Sequence, residues 1–175
     1  INQVKCLSYA THPEYIKAKG NLIIVVVPKA RFAANPLQPK VNYNTLKKIE
    51  RFLKERSSPF VKIKVRNPVY EEVKITCGVI FSEGDDNGET LKNLGRDIES
   101  FFCPWHYEKN QEMEMGGVLM KDSALNFIEQ RPYINYVTKF SIVHIYKNED
   151  GFTIEDTAAE NVSVKASTPW SVLVP

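Results

Sequence analysis

Cys103 and His106 stand three positions apart in "FFCPWHY", residues 101–107. These residue types could form a nucleophile with its base, or half of a metal site. Their surroundings argue against both. Leu91, Leu94, Ile98, Phe101 and Phe102 mark one face of a helix that should stop before Pro104. Cys103 would then sit at a helix C-terminus, where the macrodipole opposes a thiolate. Zinc needs about four ligands. The other histidines, His12 and His144, lie at no ligand spacing, and Cys6, Cys77 and Cys103 are widely separated without a CxxC pair. Neither a metal nor a cofactor is expected. The remaining reading is structural: Phe101 and Trp105 bury large apolar areas while Pro104 ends the helix and turns Trp105 back toward a sheet. Cys103 becomes a small buried side chain and His106 a surface or hinge residue.

Other chemical fragments are equally incomplete. Asp85, Asp86 and Asn87 ahead of Gly88 resemble part of a calcium loop but lack its alternating ligands, so they read as a solvated turn before a helix. Gly116 and Gly117 lack any phosphate-loop context and read as a tight turn. His144 falls within an apolar strand, where a hydrogen-bonded core or edge histidine is expected. No GxSxG elbow gathers Ser, His and Asp. No residue is assigned a catalytic role.

The elements that would hold these residues follow from periodicity. "LIIVVV", 22–27, reads as a buried strand and "KARFAANPLQPKVNYN", 29–44, as a connection. Leu46, Ile49, Phe52 and Leu53 predict a helix over 45–56 with Asn44 or Asn42 as its N-cap. A strand over 60–66 follows, and the period-two pattern resumes after Asn67-Pro68 as Val73, Ile75, Cys77, Val79 and Phe81, placing Cys77 on the core side. A second helix runs toward Phe102. After a short strand beyond Gly117, a third helix starts at Asp122 or Ser123, buries Leu125 and Ile128, and ends before Pro132. "INYVTKFSIVHIY", 134–146, is apolar on both faces and reads as a central strand. The fold class is α+β: two small subdomains, 1–67 and 68–175, with helices packed on a mixed sheet and a seam at Asn67-Pro68.

Composition is that of a globular chain. The 175 residues are 43% hydrophobic and 25% charged, with a formal net charge of +2. Basic and acidic residues read as mixed along the chain rather than gathered in blocks, which argues against nucleic acid as a partner. "KIKVRN", 62–67, is better explained as an edge or half-exposed strand. The longest apolar run is far short of the roughly 20 residues that span a bilayer, so no membrane span is expected. The odd cysteine count favours a reducing compartment. The opening Ile1 suggests a fragment or a processed chain.

Three stretches carry a family resemblance: "TLKKIERFLKERSSPFVKIKVRNPVYEEVKITCGVIF" (45–81), "LKNLGRDIESFFCPWHY" (91–107) and "GGVLMKDSALNFIEQRPYINYVTKFSIVHIY" (116–146). Together, over roughly residues 40–175 and including "TPWSVLVP", they resemble the C-terminal part of baseplate J-like wedge proteins of contractile phage tails and extracellular contractile injection systems. The resemblance implies a scaffold without catalytic chemistry, one portion of a larger subunit, assembled in the cytoplasm and then carried in the particle. The partners it implies are other baseplate or wedge subunits and sheath or tube proteins, and an isolated fragment is expected to be monomeric. It also implies a small residue such as Ser where Cys103 stands, and leaves residues 1–40 without a role. Pro104, Trp105, Phe101, Gly116 and Gly117 are the expected structural anchors. Tyr70, Tyr133, Tyr136 and Trp170 are the expected interface rings, since such rings are enriched at interfaces. Two other classes remain open at this stage: a glycan- or peptide-binding module using exposed aromatics, and a Cys103-dependent enzyme.

Overall fold

A computed structural model describes residues 1–82, 87–108, 111–148, 151–157 and 162–175. In chain order its strands are β1 (Gln3–Ser8), β2 (Asn21–Val27), β3 (Lys62–Arg66), β4 (Val69–Phe81), β5 (Val118–Met120), β6 (Ile134–Lys147), β7 (Phe152–Asp156), β8 (Ser163–Lys165) and β9 (Ser171–Val174). Its helices are α1 (Tyr43–Lys54), α2 (Asn87–Phe102), α3 (Pro104–Tyr107) and α4 (Lys121–Glu129). The strands form three sheets, ordered β1-β2-β3, β7-β6-β4-β9 and β5-β8. Both larger sheets mix parallel and antiparallel pairs. The fold class is α+β.

β2 shows why its apolar run is continuous. Val26 packs with Ile63, Val65 and the α1 residues Leu46, Ile49 and Leu53. Val25 and Val27 belong to the main core with Leu7, Val73, Ile142, Trp170 and Val172. A strand covered on both faces has no polar face to show. β2 and β3 run parallel, so a crossover must join them, and it contains α1. The Asn42 side chain caps α1 by accepting from Thr45 N at 2.8 Å. Phe52 is 53% exposed, off the buried stripe, with the Arg56 guanidinium 3.8 Å from its ring centroid.

The main core runs continuously across Asn67-Pro68, joining residues of both larger sheets. Asn67 closes the connection by exchanging two 2.8 Å hydrogen bonds with the Val41 backbone. A third cluster packs Leu94 of α2 and Ile128 of α4 against Ile134, Val79 and Val137.

Several local expectations need correction. Leu91 is 61% exposed because the buried positions of α2 are Thr90, Leu94 and Phe102, with Ile98 partly buried. By helical phase Leu91 falls on the same arc as Ile98 and Phe102, but it stands in the first turns of α2, about two and three turns before them. In α4 the buried pair is Ala124 and Ile128, with Leu125 only half-buried. Cys77 is half-buried: the β4/β6 register shifts between Thr76 and Gly78, so alternation fails at this residue. Pro104 ends α2 but then opens α3 as its first residue, a position where its missing N–H costs nothing. α2 begins at Asn87, inside the stretch read as a loop, while Asp85 and Asp86 lie outside the described residues. β1, β7, β8 and β9 were not anticipated.

β1 matters for the centre of the molecule. Gln3 donates from Nε2 to Met113 O at 3.0 Å and accepts from Met113 N at 2.9 Å, and Lys5 Nζ donates to Met115 O at 2.6 Å. These alternate side chains of β1 fix the backbone that buries Met113 and Met115 in the main core. The turn that follows is tied to the C-terminal segment. Gly116 N donates to Ser171 O at 2.8 Å, and Ala166 N donates to Gly117 O at 3.0 Å.

Two glycines separate a required conformation from a replaceable one. Gly116 has φ 72°, and a Cβ there would lie 3.0 Å from Pro169 Cα. Gly95, inside α2, has open space at its Cβ position. Gly116→Ala is expected to destabilise the protein by about 1–3 kcal/mol, and Gly95→Ala to stabilise it by about 0.5–1 kcal/mol. Urea unfolding of both variants measures this, and equal effects of one sign would contradict it.

Candidate functional site

Of the expected anchors, Phe101, Pro104, Trp105 and Gly117 line one groove, and Gly116 does not. The break between α2 and α3 places Phe101, Phe102, Pro104 and Trp105 along a cavity of about 410 Å³ whose other side is Gly117, Leu119, Val172 and Leu173. Phe101 stacks on Phe127 of α4 with centroids 4.5 Å apart and meets Phe102 edge-on at 5.5 Å. Glu112 and Glu114 stand exposed at the rim, together with Val118 and Met120 at 47% and 46% exposure. The indole Nε1 of Trp105 is buried and has no hydrogen-bond partner.

The Cys103/His106 pair does not assemble into a reactive site. Cys103 is fully buried, and burial, with the nearby Glu99 carboxylate, pushes its thiol up to about 12. His106 is exposed and its ring packs edge-on against Tyr107 at 4.8 Å. A buried, protonated thiol is a small apolar filler. Among the described residues, no group of three His, Cys, Asp or Glu side chains could hold a metal ion.

A different polar cluster lies at the centre. Glu71 on β4 is 1% exposed and His144 on β6 is 0% exposed. His144 Nε2 donates to Glu71 Oε2 at 2.8 Å, Ser167 N donates to the same oxygen at 3.0 Å, and Ser167 Oγ donates to Oε1. Burial raises the Glu71 carboxyl, but hydrogen bonds from His144, Ser167 and Ser171 more than offset this and hold it below the usual carboxylate range. His144 stacks on Tyr146 at 4.7 Å, and its Nδ1 is buried without a partner. Ser and His both bond the carboxylate rather than each other, so the cluster is not a nucleophile with its base. It pins the C-terminal segment across β4 and β6.

Sequence reading singled out His144 and missed Glu71 and Ser167. The signal was present, because Glu71 is in phase with Val73 and Ile75 on the inward face of β4. His144 pairs with Val73, one step along that face.

The four expected interface rings divide by burial. Trp170 is 9% exposed, covered edge-on by Tyr15 at 5.6 Å and by the Arg66 guanidinium 4.6 Å from its centroid. Tyr70 is part-buried and donates its hydroxyl to Pro39 O at 2.8 Å. Tyr133 is part-buried and donates to Asp97 Oδ2 at 2.5 Å. Tyr136 is half exposed. More exposed aromatic rings lie elsewhere, on Phe32, Phe60 and Phe152.

The sequence model of the family described as "Baseplate protein PVC11-like" matches residues 7–166. The chain belongs to this family of baseplate proteins. The PVC11-like match reaches further toward the N-terminus than the resemblance read from sequence, which began near residue 40, and it stops before "TPWSVLVP". No curated protein matches the chain in sequence. In structure this PVC11-like baseplate protein is similar to a chain of the "anti-feeding prophage (AFP) baseplate, 6-fold symmetrised", solved by cryo-EM, with TM-score 0.59 and 16% identity. The match covers 88% of this chain and 28% of that one, so the chain spans under a third of the length of the baseplate subunit it resembles. No helix among its described residues is long and apolar enough to cross a membrane.

Glu71→Gln removes the charge and keeps the side-chain size. A native carboxyl held below its ordinary value of about 4.3 stabilises the fold fully above that pH. The advantage is lost as pH falls through the native value. Wild type is therefore expected to exceed Glu71→Gln by about 1.5–3 kcal/mol at neutral pH, with the gap closing in acid. Urea unfolding across a pH series checks this, and a gap that widens on acidification would contradict it.

Proposed function

We propose that this chain is a wedge element in the baseplate of a phage-tail-like contractile injection system, one that holds neighbouring subunits in register around the tube. The family match over residues 7–166 carries the reading. Its partners on this reading are other baseplate subunits, with sheath or tube proteins adjoining, and assembly takes place in the cytoplasm before the particle is complete.

The chemistry supports a role without turnover. The one cysteine with a histidine close in sequence is a buried filler, and the buried carboxylate is spent on closing the fold. The exposed apolar side chains of the acidic groove, with Tyr136, offer surface to neighbours. Many modest contacts of this kind add up through avidity in a ring of subunits.

Affinity purification of the tagged full-length protein from its native cells, followed by negative-stain electron microscopy and mass spectrometry, tests this reading. Sheathed tubes with sheath, tube and other baseplate proteins are expected in the sedimenting fraction. A protein that never enters such a particle would overturn it.

A further inference from the structure

The charges that look mixed at short range are sorted at long range. Residues 1–67 carry 14 Lys and Arg against 3 Asp and Glu, a formal +11, whereas residues 68–175 carry 9 against 18, a formal −9. The expectation of unsegregated charge is therefore corrected at this scale. The ion pairs of Glu50 and Glu55 stay within the first half, and those of Glu72, Asp97 and Glu71 within the second.

Each half also opens a groove with an apolar floor and a rim of its own sign. In the basic half, Lys17, Lys62 and Lys64 are exposed around Tyr15, Leu22 and Ile23, in a groove of about 410 Å³ at the open edge of β3. In the acidic half, the groove under the α2/α3 break has Glu112 and Glu114 at its rim beside exposed Val118 and Met120.

We propose that the basic groove of one copy of this protein docks on the acidic groove of a second copy, so that copies pack head to tail. The inference rests on the reading of the protein as an assembly subunit. A two-fold contact through either half would set like charge against like. A heterologous contact pairs opposite charges and leaves one groove of each sign free for the next copy, the arrangement from which rings are closed. An apolar floor suits a protein surface better than a phosphate backbone, which would need only the lysines.

Charge reversal gives a test specific to head-to-tail packing. All four residues to be changed have exposed side chains, and circular dichroism of each variant verifies its fold. Full-length wild type is expected to self-associate in sedimentation velocity at about 0.05 M salt and to dissociate at about 0.5 M, where the Debye length has shortened. K62E/K64E and E112K/E114K are each expected to weaken self-association at least about tenfold. Mixed together, they should associate again and grow past the dimer, because the two intact grooves pair as in wild type and the two reversed grooves also meet with opposite charge. The variant carrying all four reversals should regain self-association.

Wild type that stays monomeric at low salt would overturn the inference. So would variants that associate as wild type does, or a mixture that forms no dimer. Binding of a random-sequence DNA duplex through Lys62 and Lys64 by a protein that stays monomeric would also overturn it, in favour of a polyanion site. Recovery of the protein in sheathed particles alongside any of these results would leave the baseplate reading standing and remove only the self-docking.

Discussion

A carboxylate with almost no access to water has to be satisfied by the protein, and Glu71 is satisfied by two distant parts of the chain at once. His144 comes from the neighbouring strand and Ser167 from the C-terminal segment, so this one side chain joins β4, β6 and the tail that becomes β9. The tail in turn receives Gly116 N and, through Ala166 N, the Gly117 carbonyl. The glycine turn then sets β5 opposite the aromatic residues at the α2/α3 break, which is how the acidic groove obtains its two walls. Removing one partner from such a cluster leaves a buried charge unmet, at a cost of about 3–5 kcal/mol.

The sequence was most legible where one physical signal dominated. Val25, Val26 and Val27 read as a buried strand because both faces are covered, and Leu46, Ile49 and Leu53 gave a helix within two residues at each end. "PW" and "GG" were expected as anchors from sequence, whereas the residue that crowds Gly116, Pro169, lies over 50 residues away and leaves no local trace. β1 was illegible for a related reason. Its inward residues are few, and its part in the fold is played by Gln3 and Lys5, polar side chains that hold the Met113–Met115 backbone. Exposed apolar residues misled periodicity at Leu91 and Phe52, where surface apolar side chains imitate a core stripe.

The candidate site shows the same division. Cys103 and His106 attract attention by type, yet burial removes the thiol's reactivity and the histidine faces solvent. Glu71 looks like an ordinary strand glutamate until its phase is extended from Val73 and Ile75. Long-range charge segregation escaped because it is visible only over tens of residues, a scale on which local alternation averages away. Membership of the PVC11-like baseplate family is the setting in which the proposed docking would use this polarity.

The most direct test of an assembly role is a cryo-EM reconstruction of the particle that contains this protein, at a resolution that places residues 1–175. This chain is expected in the baseplate with its tail pinned on Glu71 and the groove below Trp105 covered by a neighbouring subunit. A map in which the chain is present but both of its charged grooves face open solvent would rule out an assembly role for these surfaces.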